Sequence, residues 1–195
     1  MLAAIANFLI IDVPEVVVNT VDVPEVVVNT TAAIAVPTAK PFTDGNPIKT
    51  VGEQFETEVD ICEVTDIRGF RTSHPVTGES RQHNGVDIAC YAGLHPVYVP
   101  FDGTLEILQP SQSGGGGLVA RLRSGKYTVQ IMHMDAIALP SGTVKEGDRL
   151  GLGGAVNQPN AGTSTGSHSH IEIFEGDRIY HDPTDELIKR LLGIK

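Results

Sequence analysis

The chain has 195 residues, 41% of them hydrophobic, and a formal net charge of -10 from 24 acidic against 14 basic side chains. That length accommodates one domain of about 130–150 residues plus an extension, with ample apolar material for a single core. The acidity excludes sequence-independent nucleic-acid binding, which needs Lys and Arg against phosphates, and argues against docking on an anionic membrane.

Residues 1–11, MLAAIANFLII, are apolar, but no Lys or Arg precedes Lys40, so the positive n-region of a secretory signal is missing. The run is also too short to span a bilayer. Cleavage just after Ala35, at the small-residue stretch Ala33-Ile34-Ala35, would mark a secreted form. Residues 12–20 and 22–30 read DVPEVVVNT twice. Each copy is a β-branched run opened by Pro and closed by Asn-Thr, suited to a short strand or an extended arm. Two copies are too few for a solenoid; they read as a duplicated linker or, the reading we favour, as an arm that adds strands to a partner's sheet edge. Residues 31–47 are rich in Ala, Pro, Thr and Gly without periodicity, a linker or wrapping segment. The expected organisation is therefore an extended arm over 1–47 and a domain over 48–195.

From Ile48 the pattern becomes short alternating segments: Phe55 to Cys62, Gly85 to Cys90, Val97 to Val99, Gly103 to Leu108, Leu118 to Leu122, Tyr127 to His133, Arg149 to Leu152 and His168 to Phe174. Turn signals such as Asp102-Gly103, Gly114 to Gly117 and Ser124-Gly125 separate them. Twenty-one glycines and 12 prolines support the same reading. We expect a mainly β fold, an antiparallel sheet or sandwich. One small helix is expected at the end, capped at Asp182-Pro183-Thr184 and running through Leu187, Ile188, Leu191 and Leu192 to Gly193. Cys62 and Cys90 form no C-x-x-C pair, and both a bridge and burial as two small hydrophobes remain open.

The chemistry concentrates in TSTGSHSHIEIF, Thr163 to Phe174. Strand alternation puts His168, His170 and Glu172 on one face and Ile171 and Ile173 on the other, a buried back behind an imidazole-bearing front. Two histidines two residues apart on a strand lie ~7 Å apart, close enough to act on one centre. Upstream, RQHNGVDIAC places His83 and Asp87 four apart, an even spacing that puts both on one strand face with Gly85 between them. Imidazole and carboxylate can then converge on one ion, and one histidine of His168 and His170 would complete a three-ligand N/O set of the hydrolytic zinc type. His133, closing YTVQIMH, adds an imidazole at the edge of a core strand. His74, His95 and His181 sit at turn or helix boundaries and read as structural.

With these residues in place, the chain resembles the lysostaphin/LytM family of zinc peptidoglycan endopeptidases from about Asp66 to Asp185. GFRTSHPVTGESRQHNGVDIAC, GLHPVYVPFDGTL, VQIMHMD, VKEGDRLG and GTSTGSHSHIEIF follow in family order. The resemblance implies a lysostaphin-like metallopeptidase fold, one Zn²⁺ held by His83, Asp87 and His170, and a catalytic pair of His133 and His168. It implies the peptide cross-links of bacterial cell wall as substrate, cut between D-alanine and a diamino acid or within a glycine bridge. Ser167 and Ser169 stand where the family often has Pro and Leu, and VQIMHMD lacks the Tyr often found before the catalytic histidine, departures that bear on substrate fit. Residues 1–47 have no counterpart in these motifs. The arm suggests delivery on a phage tail or other virion component, bound to neighbouring tail proteins. The alternatives are a secreted or periplasmic bacterial hydrolase, and a non-catalytic wall-binding or structural virion protein. No stable membrane insertion is expected.

Overall fold

The computed structural model describes residues 45–176 and 178–195. The duplicated DVPEVVVNT and nearly all of the expected arm over 1–47 lie outside them. Among the described residues, thirteen strands and one α-helix follow in chain order. They are β1 (Gln54–Glu56), β2 (Ile61–Asp66), β3 (Gly69–Arg71), β4 (Arg81–His83), β5 (Val86–Cys90), β6 (His95–Tyr98), β7 (Gly103–Leu108) and β8 (Leu118–Ser124). After these come β9 (Tyr127–Ile137), β10 (Gly142–Val144), β11 (Arg149–Gly153), β12 (Ser169–Glu175), β13 (Ile179–His181) and α1 (Asp185–Leu191). The fold is mainly β and antiparallel, with one small C-terminal helix, as the alternation and turn spacing led us to expect.

The main sheet runs β1-β2-β5-β12-β9-β8-β7-β10, with β13 beside β12 and β11 bridging β9 to β6. Strands β3 and β4 pair separately as a hairpin. At the centre, one face of each strand carries aliphatic residues. Ile88, Ile131, Ile173 and Leu122 are fully buried, and each such side chain contributes about 1.5–3 kcal/mol of transfer free energy. The residues that alternate with them, Asp87, Gln130, Glu172 and Arg121, all line one cleft. A sheet with one dry face and one wet face is what period-2 patterning produces in antiparallel strands.

Leu187, Ile188 and Leu191 of α1 join the same core. Thr184 caps the helix, its hydroxyl accepting from the Leu187 amide at 3.3 Å. Asp185 and Glu186 occupy the first turn and Lys189 and Arg190 the last, the order that favours the helix dipole. Among the described residues no helix is long and apolar enough to cross a membrane.

Two expected elements are divided. The segment from Phe55 to Cys62 is two strands, because the Thr57 hydroxyl accepts from the Asp60 amide at 2.9 Å and closes a tight turn between β1 and β2. The stretch carrying His83 and Asp87 is also split: His83 ends β4 and Asp87 lies in β5, with Asn84 and Gly85 turning the chain between them. Glycine is required at this crossing. A side chain at Gly85 would put its Cβ 2.2 Å from the Ile171 carbonyl oxygen and 3.0 Å from His170 Nε2.

Cys62 and Cys90 face each other across the β2–β5 pair and form a disulfide. The bridge closes a loop over a separation of 28 residues, which in the chain-entropy account stabilises the fold by about 3–4 kcal/mol. Replacing both cysteines with alanine should therefore lower the melting temperature by about 10 °C. Calorimetry of the oxidised protein and the double variant measures this, and equal melting temperatures would contradict it.

Candidate metal centre

Strands β5 and β12 pair with His170 opposite Asp87, so imidazole and carboxylate meet on the cleft side of the sheet. His170 Nδ1 lies 2.7 Å from Asp87 Oδ1. His83 enters from the end of β4, its Nε2 3.2 Å from the same oxygen and 3.0 Å from His170 Nδ1. These three residues are buried, and their ligand atoms lie within 4.8 Å of one another.

The orientation of each group is set from behind. His83 Nδ1 donates to the Ile67 carbonyl at 2.7 Å, which leaves Nε2 with the lone pair. His170 Nε2 donates to Glu172 Oε1 at 3.2 Å, so in the neutral ring Nδ1 carries the lone pair. Arg71 Nη2 donates to Asp87 Oδ2 at 2.8 Å and also pairs with Asp66, so Oδ1 is the free carboxylate oxygen. The atoms left to face one another are His83 Nε2, Asp87 Oδ1 and His170 Nδ1, a set that repels itself unless a proton on an imidazole or a cation at the centre offsets it.

Electrostatics express the same demand. Burial pulls the His170 pKa down, but hydrogen bonds to Asp87 and Glu172 outweigh it and push it up to about 9. Burial acts on Asp87 in the opposite sense. There the hydrogen bonds from His170 and His83 prevail and hold the carboxyl well below the usual carboxylate range. Two imidazoles and one carboxylate, without a thiolate, fit a zinc ion that keeps an open position.

His133 and His168 flank this cluster. The His133 ring centroid is 4.8 Å from that of His168 and 6.5 Å from that of His170. His133 lies within β9, not at the strand's end. There β9 changes neighbour, pairing with β12 up to Met132 and with β11 from Met134. At that switch His133 adopts φ 59°, the left-handed region, which costs a non-glycine residue about 1–2 kcal/mol. The backbone is held there by His133 N donating to Gly116 O at 2.9 Å and His133 O accepting from Ala155 N at 2.8 Å. Its Nδ1 donates to the Ala161 carbonyl at 2.7 Å, leaving Nε2 as an acceptor. Burial, reinforced by the neighbouring His168, pushes the His133 pKa down to about 4. His168 precedes β12, and its Nδ1 donates to the Gly166 carbonyl at 2.9 Å, leaving its Nε2 as a second acceptor, 3.9 Å from Asp87 Oδ1.

The five residues singled out in the sequence line one cleft of about 770 Å³, together with Arg81, Asn84, Ser167, Arg178 and Tyr180. Of the other histidines, His74 also lines the cleft, whereas His95 and His181 lie outside it. His74 Nδ1 accepts from the amides of Val76 and Thr77, both at 3.2 Å, and so caps its turn. His95 is buried against Ser169 Oγ at 3.0 Å, and His181 Nε2 lies 3.8 Å from Glu175. The clamp from Arg71 onto Asp87 had no signal in the sequence.

Gly85 is the most sensitive point of this construction. Gly85→Ala should cost about 1–3 kcal/mol through overpacking and displace His170, so zinc affinity falls with thermal stability. Calorimetry and a zinc titration on the one variant test this, and unchanged values in both would refute the steric account.

Comparison with known proteins agrees with the geometry. Over 116 residues the chain is 40% identical to an uncharacterized metalloprotease of Haemophilus influenzae, a stretch covering 58% of this chain and 23% of that protein. Over 135 residues it is 30% identical to the peptidoglycan DD-endopeptidase ShyB of Vibrio cholerae, covering 69% of this chain and 30% of that protein. The chain thus spans less than a third of these curated relatives. The catalytic domain of lysostaphin from Staphylococcus simulans superposes with a TM-score of 0.50 at 23% identity, over 64% of this chain and 91% of that domain, a likeness of fold. The model of peptidase family M23 matches residues 81–183. Since that span exceeds half of the chain and contains His83, Asp87, His133, His168 and His170, the protein belongs to peptidase family M23.

Proposed function

We propose that the chain is a zinc-dependent endopeptidase that hydrolyses peptide cross-links of bacterial peptidoglycan. The observation that carries this reading is the convergence of three ligand atoms, His83 Nε2, Asp87 Oδ1 and His170 Nδ1, at the floor of a cleft that also receives two further imidazoles. His83, Asp87 and His170 would hold the ion. Bound there, zinc supplies a Lewis acid for the scissile carbonyl and lowers the pKa of water toward neutrality.

The chain's own groups supply the proton transfers. His133 and His168 each present Nε2 as an acceptor because Nδ1 is engaged with a carbonyl. The pair is placed to take the proton of the attacking water, to hydrogen-bond the developing oxyanion, and to return a proton to the leaving amine. Similarity to ShyB favours a bond on the carboxyl side of D-alanine over one in a glycine bridge, where the lysostaphin likeness extends to fold alone. The Cys62–Cys90 disulfide supports a secreted or periplasmic setting, because such bridges persist in oxidising compartments. Delivery on a phage tail rests on the arm, and pull-down of tail proteins by the 1–47 segment tests it separately.

Mass spectrometry of purified peptidoglycan digested with the zinc-loaded protein tests the assignment. Cross-linked muropeptides should resolve into monomers with a new amine on the diamino acid. Intact cross-links after prolonged digestion would overturn the proposal.

A further inference from the structure

Glu172 shares the strand face of His170, and it opens a row that leads away from the metal centre across the sheet. Gln130 is opposite Glu172 in the β9–β12 pair, and Arg121 is opposite Gln130 in the β8–β9 pair. The three side chains lie on the cleft face of three neighbouring strands. Arg121 Nε donates to Gln130 Oε1, Gln130 Nε2 donates to Glu172 Oε2 at 3.1 Å, and Glu172 Oε1 accepts from His170 Nε2 at 3.2 Å. Gln130 and Glu172 are both buried, with 6% and 7% exposure.

We propose that Arg121, Gln130 and Glu172 form a one-way hydrogen-bonded row that locks His170 in the tautomer presenting Nδ1 to the ion, which makes them positioning residues for a metal ligand.

The direction follows from the chemistry of the far end. A guanidinium donates and never accepts, so Gln130 must turn its carbonyl oxygen toward Arg121. Its NH₂ then has to face Glu172, whose carboxylate only accepts. One carboxylate oxygen is thereby taken, and the other meets His170 Nε2. Were His170 in the opposite tautomer, a nitrogen lone pair would stand 3.2 Å from an anionic oxygen. A buried carboxylate facing a lone pair is costly, whereas a charge-assisted N–H bond to it is among the stronger hydrogen bonds in proteins. The row therefore transmits a choice of direction from a cation on β8 to the ligand atom on β12. Nothing in the local sequence announces it, because the three residues come together only through strand register.

The inference rests on His170 being a zinc ligand, so the experiment separates the two. Zinc dissociation constants are measured by competition with a chromophoric chelator for the wild type, Glu172→Ala, Glu172→Gln and Gln130→Met, together with the melting temperature of each metal-free protein. Loss of the partner behind a ligating histidine weakens metal binding by about 10–100-fold. Glu172→Ala should fall in that range. Glu172→Gln keeps an acceptor for Nε2–H and should recover part of the loss, and Gln130→Met should show a smaller loss than Glu172→Ala. Nitrogen-15 spectra of the zinc-loaded wild type should show His170 as the Nε2–H tautomer. If the variants melt lower but bind zinc as tightly as the wild type, the row is merely structural and the proposal fails. If the wild type binds no zinc at all, the reading of His170 as a ligand fails and takes this inference with it.

Discussion

His170→Ala should lose zinc and hydrolysis together. His170 Nδ1 is 2.7 Å from Asp87 Oδ1 and 3.0 Å from His83 Nε2, so its truncation leaves two donors where three converge. Altering only the group behind a ligating histidine weakens binding by about 10–100-fold, and removing the ligand itself must exceed about 100-fold. The same substitution removes the donor from Glu172 Oε1 and leaves a buried carboxylate with Gln130 as its remaining partner, so stability falls as well. To keep that loss of fold from being mistaken for loss of metal, His170→Gln serves alongside, since it retains bulk and polarity but not the imidazole. The measurement is zinc content by atomic emission after dialysis against a buffered low free-zinc concentration, paired with hydrolysis of dye-labelled peptidoglycan. A His170→Ala protein that is folded and still holds one zinc per chain would remove His170 from the ligand set.

The strand face on which these histidines sit was legible because alternation is a local property. Ile171 and Ile173 could only be buried by turning His170 and Glu172 to the other side, and both isoleucines are buried. Even spacing between His83 and Asp87 suggested one strand face, yet the two lie on different strands in different sheets. Their side chains meet because Gly85 lets the chain pass beneath the Ile171 carbonyl, a tertiary contact invisible to any spacing rule. The disulfide was open for a similar reason. Only the β2–β5 register puts Cys62 opposite Cys90. His133 was read as closing a strand, because a periodicity argument cannot see a residue at φ 59° where a strand exchanges one neighbour for another. What stayed hidden throughout was the group behind each candidate site residue: Ile67 behind His83, Arg71 behind Asp87, Ala161 behind His133. These partners depend on chain crossings, and they decide which lone pair each side chain offers.

His168→Ala should produce the opposite phenotype, full zinc occupancy with turnover reduced by about 100- to 10,000-fold, the range of a lost general acid or base. His168 stands outside the converging donors, its Nε2 3.9 Å from Asp87 Oδ1, while its Nδ1 is committed to the Gly166 carbonyl. The side chain is 19% exposed at the cleft, so its removal opens no sealed cavity and should change the melting temperature little. His133 makes the instructive contrast. Its ring is buried and its Nδ1 anchors the Ala161 carbonyl, so His133→Ala should lower both turnover and stability while zinc remains bound. The decisive readout is kcat separated from KM on a soluble cross-linked muropeptide, with zinc content measured in the same preparation. An effect confined to KM would make His168 a substrate contact. Wild-type hydrolysis by a zinc-replete His168→Ala protein would leave proton transfer to His133 alone, and the two-imidazole arrangement proposed here would have to be abandoned.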